Sequence, residues 1–266
     1  MNVLSAIIDQ KRKRVETAKG LVSPDAVRLI ARRARETASH HALVNALTSA
    51  DESRNNIIAE FKRKSPSKGE IRRDADPANI AKAYASAGAA AVSVLTEEDY
   101  FDGSLDDLRA IRQAISLPLL RKDFIFEEYQ VYESAAAGAD ALLLIVAALN
   151  DDTLGRLRSM TEDELGMDAL VEVHTREEME RASRSGAHLI GVNNRDLGTF
   201  AVSLETSAKL APIAYDGAVL ISESGIESAE DIIRLRELGY RGFLVGESLM
   251  RADDPETALR RFTQRR

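Results

Sequence analysis

The chain has 266 residues, no cysteine and a formal net charge of −7, with 30% charged and 44% hydrophobic residues. That length allows one large barrel or two small domains with a sizeable core. The acidic balance argues against nucleic acid or an anionic membrane as the main partner, and the missing cysteines exclude disulfides, thiolate metal sites and a cysteine nucleophile.

The opening "MNVLSAIIDQKRKR" places its basic run after a short apolar stretch, the wrong order for a secretory signal. No run approaches the roughly 18 apolar residues of a membrane-spanning helix, so a cytoplasmic protein is expected. Helical patterns cover roughly 2–18 and 24–38. Residues 1–50 are read as a helical extension packed on the rest of the chain, within a single domain of 1–266.

Eight short apolar runs come next: "NIIAEF" (56–61), "AAVSVLT" (90–96), "LPLLRKDF" (117–124), "ALLLIVA" (141–147), "DALVEVH" (168–174), "LIGVNN" (189–194), "AVLISES" (218–224) and "GFLVGES" (242–248). They read as strands. Between them lie amphipathic stretches of helical spacing, such as Ile80, Ala83, Tyr84 and Ala87 in one and Ile232, Ile233, Leu235 and Leu238 in another. Gly88, Gly138, Gly186 and Gly239 stand where helices should stop, and Ser104 with Asp107 resembles a capping box. The strand ends recur roughly 21–34 residues apart. Eight such units predict an α/β fold, a (β/α)₈ barrel. An open doubly wound sheet would have fewer strands and an early glycine fingerprint, and GxGxxG is absent.

Active sites of such barrels lie at the C-terminal ends of the strands. Glu60 and Lys62 end the first strand two residues apart, so they point to the same side. Lys122 ends the third, Glu172 sits in the fifth between Val171 and Val173, Asn193 and Arg195 end the sixth, and Glu223 and Ser224 end the seventh. Each alone has an ordinary structural explanation: an ion-pair partner for Glu60, solvated rim charges for Arg121, Lys122 and Asp123, loop closure for Asn193 and Arg195. Structural ion pairs have no reason to gather at one end of several strands. Two lysines and three glutamates around one cavity would perturb one another's pKa values, as acid–base chemistry requires. Gly225 and the Gly246-Glu247-Ser248 turn follow the seventh and eighth strands, where these barrels bind phosphate on backbone N–H groups, and Ser65 could add a hydroxyl. His40, His41, His174 and His188 lack zinc-site spacing, so no metal is expected and the histidines read as surface or supporting residues.

Together "IIAEFKRKSPSKG", "VSVLTEEDYFDGSLDDL", "PLLRKDFI", "LVEVHTREEMERA", "IGVNNRDL", "ISESGI" and "LVGESLMR" resemble the indole-3-glycerol-phosphate synthase family over about residues 1–262. The resemblance implies a cofactor-free lyase of tryptophan biosynthesis. Such an enzyme closes and decarboxylates 1-(2-carboxyphenylamino)-1-deoxyribulose 5-phosphate. It further implies that Lys122 is the general acid for ring closure, with Glu172, Glu60, Lys62, Asn193 and Glu223 as the rest of the catalytic set. Phe124 would contact the aromatic ring, Arg195 and Ser224 would bind substrate, and Ser65, Gly225, Gly246 and Glu247 would hold the phosphate. Glu247 departs from the small residue of many relatives, so its contact should come from the backbone N–H alone. The only expected partner is a small phosphorylated substrate, with no nucleic acid and no membrane, for a monomer with no fused isomerase domain after the eighth strand. Three alternatives compete. A phosphoribosylanthranilate isomerase typically needs a cysteine. An aldolase would use Lys122 as a Schiff-base nucleophile. A non-catalytic barrel would have no need of the polar set.

Overall fold

A computed structural model describes residues 3–49, 53–196 and 198–265. Eight parallel strands close on themselves: β1 (Ile57–Phe61), β2 (Ala91–Leu95), β3 (Leu119–Lys122), β4 (Ala141–Ile145), β5 (Asp168–Val173), β6 (Leu189–Asn193), β7 (Val219–Glu223) and β8 (Gly242–Val245). The barrel shuts where Ile57 of β1 registers with Phe243 of β8. Each expected run contains one strand, trimmed by a residue or more at its ends because the rim residues turn out of the ladder. Gly88, Gly138, Gly186 and Gly239 all take positive φ, between +76° and +97°, as helix-ending residues do. Ser104 accepts the N–H of Asp107 at 3.1 Å and caps its helix as expected, but no capping box closes, because the Asp107 carboxylate pairs with Arg63.

Side chains alternate along the strands, so each strand feeds two cores. Even-numbered Ile58, Leu120 and Leu170 pack inside the barrel with Leu189 and Ile221 of their neighbours. Ile57, Leu119, Val171 and Ile190 face outward against the helices in a second, larger core. Complete burial of β1, β2, β4, β5 and β7 follows from this two-sided packing and explains why the runs are continuously apolar rather than alternating.

Among the described residues three helices precede the barrel. α1 (Val3–Leu21) lies over its C-terminal mouth, α2 (Pro24–Arg35) packs on the helix Glu128–Ala136 that comes after β3, and α3 (Ala42–Thr48) seals the opposite end. The expected helix over 2–18 runs on to Leu21, its first residue lying outside the described residues. The second ends at Arg35 rather than near 38, where the chain must turn towards the barrel floor. There Arg35 is buried, donating to the carbonyls of Leu165, Gly166 and Ser39. α3 has no counterpart among the expected helices because its seven residues offer less than two full turns of periodicity. It inserts Leu43 and Leu47 among the inward residues of the strands. Asp168, at the start of β5, accepts the N–H groups of Leu43 at 2.8 Å and Val44 at 3.1 Å, so a carboxylate caps the plug.

Candidate active site

The inward parity that fills the barrel with Ile58, Leu120 and Leu170 places Glu60, Lys122 and Glu172 on the same face one step nearer the C-terminal rim. They open into a cavity of about 690 Å³. All thirteen site residues expected from the sequence line it. Lys62, Asn193, Glu223 and Ser224 stand at the strand ends, Phe124 and Arg195 in the loops just beyond, and Ser65, Gly225, Gly246 and Glu247 along one side.

Lys122 donates to Glu223 Oε2 at 2.7 Å and to Glu172 Oε2 at 3.1 Å. Burial works against its ammonium, but Glu223, Glu172 and Glu60 outweigh that cost and raise its pKa above the ordinary lysine value. Glu172 is also buried, which favours its neutral form. The charges of Lys122 and His174, with hydrogen bonds from Lys122 and Asn193, reverse this and lower its pKa. Glu223 goes the other way: burial leads, Lys122 offsets part of it, and repulsion from Glu172 and Glu60 helps carry the pKa up to about 7. The two carboxyls that share Lys122 thus part: Glu172 is held towards its ionised form, and Glu223 titrates near neutrality. Lys62 pairs with Glu60 on the opposite wall, so the two charges ending β1 do face each other.

Arg121 and Asp123 are not rim charges. Their odd parity turns them outward, where both are buried. Arg121 bonds Asp123 Oδ2 at 2.9 Å, and its other guanidinium nitrogen lies 2.9 Å from Glu133 Oε2 on the helix after β3. Asp123 also holds Lys11 of α1 at 2.9 Å, and Lys11 reaches Glu98 at 2.6 Å. Lys11 takes a turn of the apolar stripe Leu4, Ile7 and Val15 and is only 2% exposed. It anchors α1 so that Val3, Leu4 and Ile7 form an apolar roof on the cavity. A lysine inside an apolar stripe is the sequence signal for this latch. Phe101 also lines the cavity, its ring 6.2 Å from that of Phe124.

Gly191 of β6 is not among the residues expected from the sequence, yet a Cβ there would overlap Glu223 Oε1. Gly191→Ala is expected to displace that carboxylate from Lys122 and to lower kcat by about 10–100-fold, as loss of a tuned acid–base partner does. A crystal structure of the variant with Glu223 unmoved and turnover unchanged would remove Gly191 from the site.

On the far side, Ser224 and Gly225 take φ of 66° and 80°, bending the chain after β7. At Gly225 a Cβ would meet Val202 Cγ1. Gly246 precedes the short helix Glu247–Arg251, with no side-chain cap on its first N–H groups. The Glu247 carboxylate is drawn to Arg251 at 3.2 Å and Lys68 at 3.7 Å. Among the described residues one trio of acidic groups, Glu97, Glu98 and Asp99, lies close enough to hold a cation. Its oxygens are committed within the protein: Glu97 accepts the N–H groups of Asp99, Tyr100 and Phe101, Glu98 pairs with Lys11, and Asp99 with Arg14.

The family model described as indole-3-glycerol phosphate synthase matches residues 4–262. Proteins of that name from Carboxydothermus hydrogenoformans and Syntrophobacter fumaroxidans are 48% and 45% identical over 261 and 256 residues, covering 96% of this chain and 97% and 95% of their own. The one from Nocardioides sp. is 54% identical over 207 residues, 78% of this chain and 79% of its own. Among solved structures, KGPDC from Streptococcus mutans superposes with a TM-score of 0.59 at 15% identity, covering 79% of this chain and 95% of that one. Thiamine phosphate pyrophosphorylase from Pyrococcus furiosus does so at 0.58 and 15%, over 78% and 93%. These two share the fold alone.

Proposed function

The chain belongs to the indole-3-glycerol phosphate synthase family, and from that premise we propose how its barrel mouth performs the reaction. The enzyme is a carboxy-lyase of tryptophan biosynthesis: it converts 1-(2-carboxyphenylamino)-1-deoxyribulose 5-phosphate to indole-3-glycerol phosphate, CO₂ and water. The observation that carries the residue assignment is the Lys122 ammonium, aimed into the cavity between Glu172 and Glu223.

The ring carbon bearing the carboxylate attacks the ketose carbonyl, and Lys122 gives a proton to the carbonyl oxygen as the bond forms. The aniline nitrogen supplies the electron pair and becomes iminium-like. CO₂ leaves, and its bonding pair restores the ring. The new hydroxyl then departs as water with a second proton, while a proton from the CH₂ beside nitrogen passes to a carboxylate. Glu172 and Glu60 supply base and negative charge beside the developing cation, and Lys122 and Lys62 supply the protons. A lysine held as its ammonium between two carboxylates lacks the free amine that Schiff-base attack needs. The ring would lie against Phe124 and Phe101 beneath the roof of α1. Asn193, Arg195 and Ser224 would orient the chain. The phosphate would sit on the N–H groups of Gly225, Gly246 and Glu247 with the Ser65 hydroxyl, at a place where the Glu247 charge is partly met by Arg251 and Lys68.

We propose further that the protein is a cytoplasmic monomer acting on its small substrate alone. The ties of α1, α2 and α3 to the barrel support one folding unit over 1–266. Ultraviolet absorbance or fluorescence should follow indole appearing from the carboxyphenylamino substrate. Inorganic phosphate should inhibit competitively, and more weakly in Gly246→Ala. No indole signal would overturn the reaction, and inhibition that ignores Gly246 would overturn the phosphate subsite.

A further inference from the structure

His174 comes after β5, two residues beyond Glu172, and takes no part in the proton transfers assigned to the lysines and glutamates. Its ring is nearly buried, with 11% of the side chain exposed. Nδ1 lies 3.2 Å from Glu178 Oε2 on the helix Arg176–Arg184, and that same oxygen accepts the backbone N–H of His174 at 2.7 Å. Nε2 lies 3.4 Å from Glu172 Oε1, too poorly aligned for a formed hydrogen bond, and is buried with no other partner. The ring is therefore held between two carboxylates, one on each nitrogen.

An ionised carboxylate only accepts hydrogen bonds, and a neutral imidazole has one N–H and one lone pair. In either neutral tautomer a lone pair would face a carboxylate at close range. Only the imidazolium turns an N–H, and positive charge, to both sides. Glu223 of β7 and Asp196 in the loop after β6 also bear on the ring, and both are acidic. Lys122 sits on the other oxygen of Glu172.

We infer that His174 is a buried imidazolium and a positioning residue, setting its charge against Glu172 Oε1 while Lys122 holds Oε2, so that the carboxylate enters the reaction ionised. This rests on Glu172 being the catalytic carboxylate. Burial opposes the charge on His174, but Glu178, Glu172 and Glu223 outweigh it and raise the imidazole pKa. Removing that charge leaves Glu172 with one cation instead of two, so its carboxyl should titrate at higher pH. With its folded pKa raised, His174 stabilises the fold fully below the ordinary histidine pKa, and that contribution is lost as pH rises through the folded value.

Nitrogen-15 NMR of the histidine rings tests the charge directly. In the wild type, both His174 nitrogens should carry protons at pH 7, with a midpoint above the ordinary value of about 6.5. Glu178→Gln should lower that midpoint. In His174→Gln the acidic limb of the kcat/KM profile should move up by roughly half a pH unit or more, as loss of a close charge does. A neutral His174 at pH 7 overturns the inference whatever the activity. So does a His174→Gln enzyme that only melts earlier, with its acidic limb unmoved. A fully active Glu172→Gln enzyme would instead sink the catalytic reading of Glu172, while the His174 midpoint, falling in that variant, would still report the charge contact.

Discussion

Lys122→Met is expected to lower kcat by about 10³-fold or more, because one change removes both the proton donor and the cation at the oxygen where charge changes. Methionine keeps most of the stem's volume, so the barrel layer of Leu120 and its neighbours stays filled. What the variant loses is the counter-charge for Glu172 and Glu223, both buried. Breaking a buried pair typically costs about 3–5 kcal/mol. Here the cost should depend on pH, since a carboxyl without its ammonium prefers to be protonated. Near pH 5, Glu223 and then Glu172 can take protons and the loss in melting temperature should be small. Near pH 8 their ionisation is forced and the loss should be larger. Activity should be missing at both pH values. Turnover near that of the wild type at either pH would remove Lys122 from the role of general acid.

Glu172→Gln separates charge from shape. The amide oxygen can still accept from Lys122 and the side chain still fits between Val171 and Val173, but it cannot take a proton or offset a cation. An interaction made mainly in the transition state appears as a fall in kcat with KM little changed. A loss of about 10²–10³-fold in kcat is expected, with KM within a few-fold. A structural ion-pair partner would give the reverse, a lower melting temperature with turnover intact. Steady-state kinetics and thermal melting of this one variant decide between the two.

The barrel is legible in the sequence because a parallel strand buried on both faces writes a continuous apolar run, and because glycine is needed where a helix ends in positive φ. The inward wall is legible because a charge has no place in such a run unless something in the cavity uses it. Glu60, Lys62 and Glu172 betray themselves that way. The same logic cannot sort Arg121 and Asp123 from Lys122, since three adjacent charges look alike until alternation assigns them to opposite faces. Lys11 and Asp123 are 112 positions apart, and no local pattern links them. His174 reads as a surface or supporting histidine because its meaning lies in Glu178, a helical residue whose role depends on how its helix turns back over the strand end. Gly191 is invisible for a similar reason: its function is the space it leaves for a side chain of the neighbouring strand.

The seam where β1 meets β8 also governs how the chain comes to be folded at all. Ile57 finds Phe243 only after nearly the whole polypeptide has left the ribosome, and contacts of such long sequence separation form slowly. Until then β1 and β7 each present an unpaired edge, in strands where six of ten residues are Ile, Val, Leu or Ala, and such edges invite pairing with other chains. A chain that stops before β8 therefore has no half-active form to fall back on. It has two sticky edges and a Leu47 without its neighbour Gly242, and aggregation is its expected outcome.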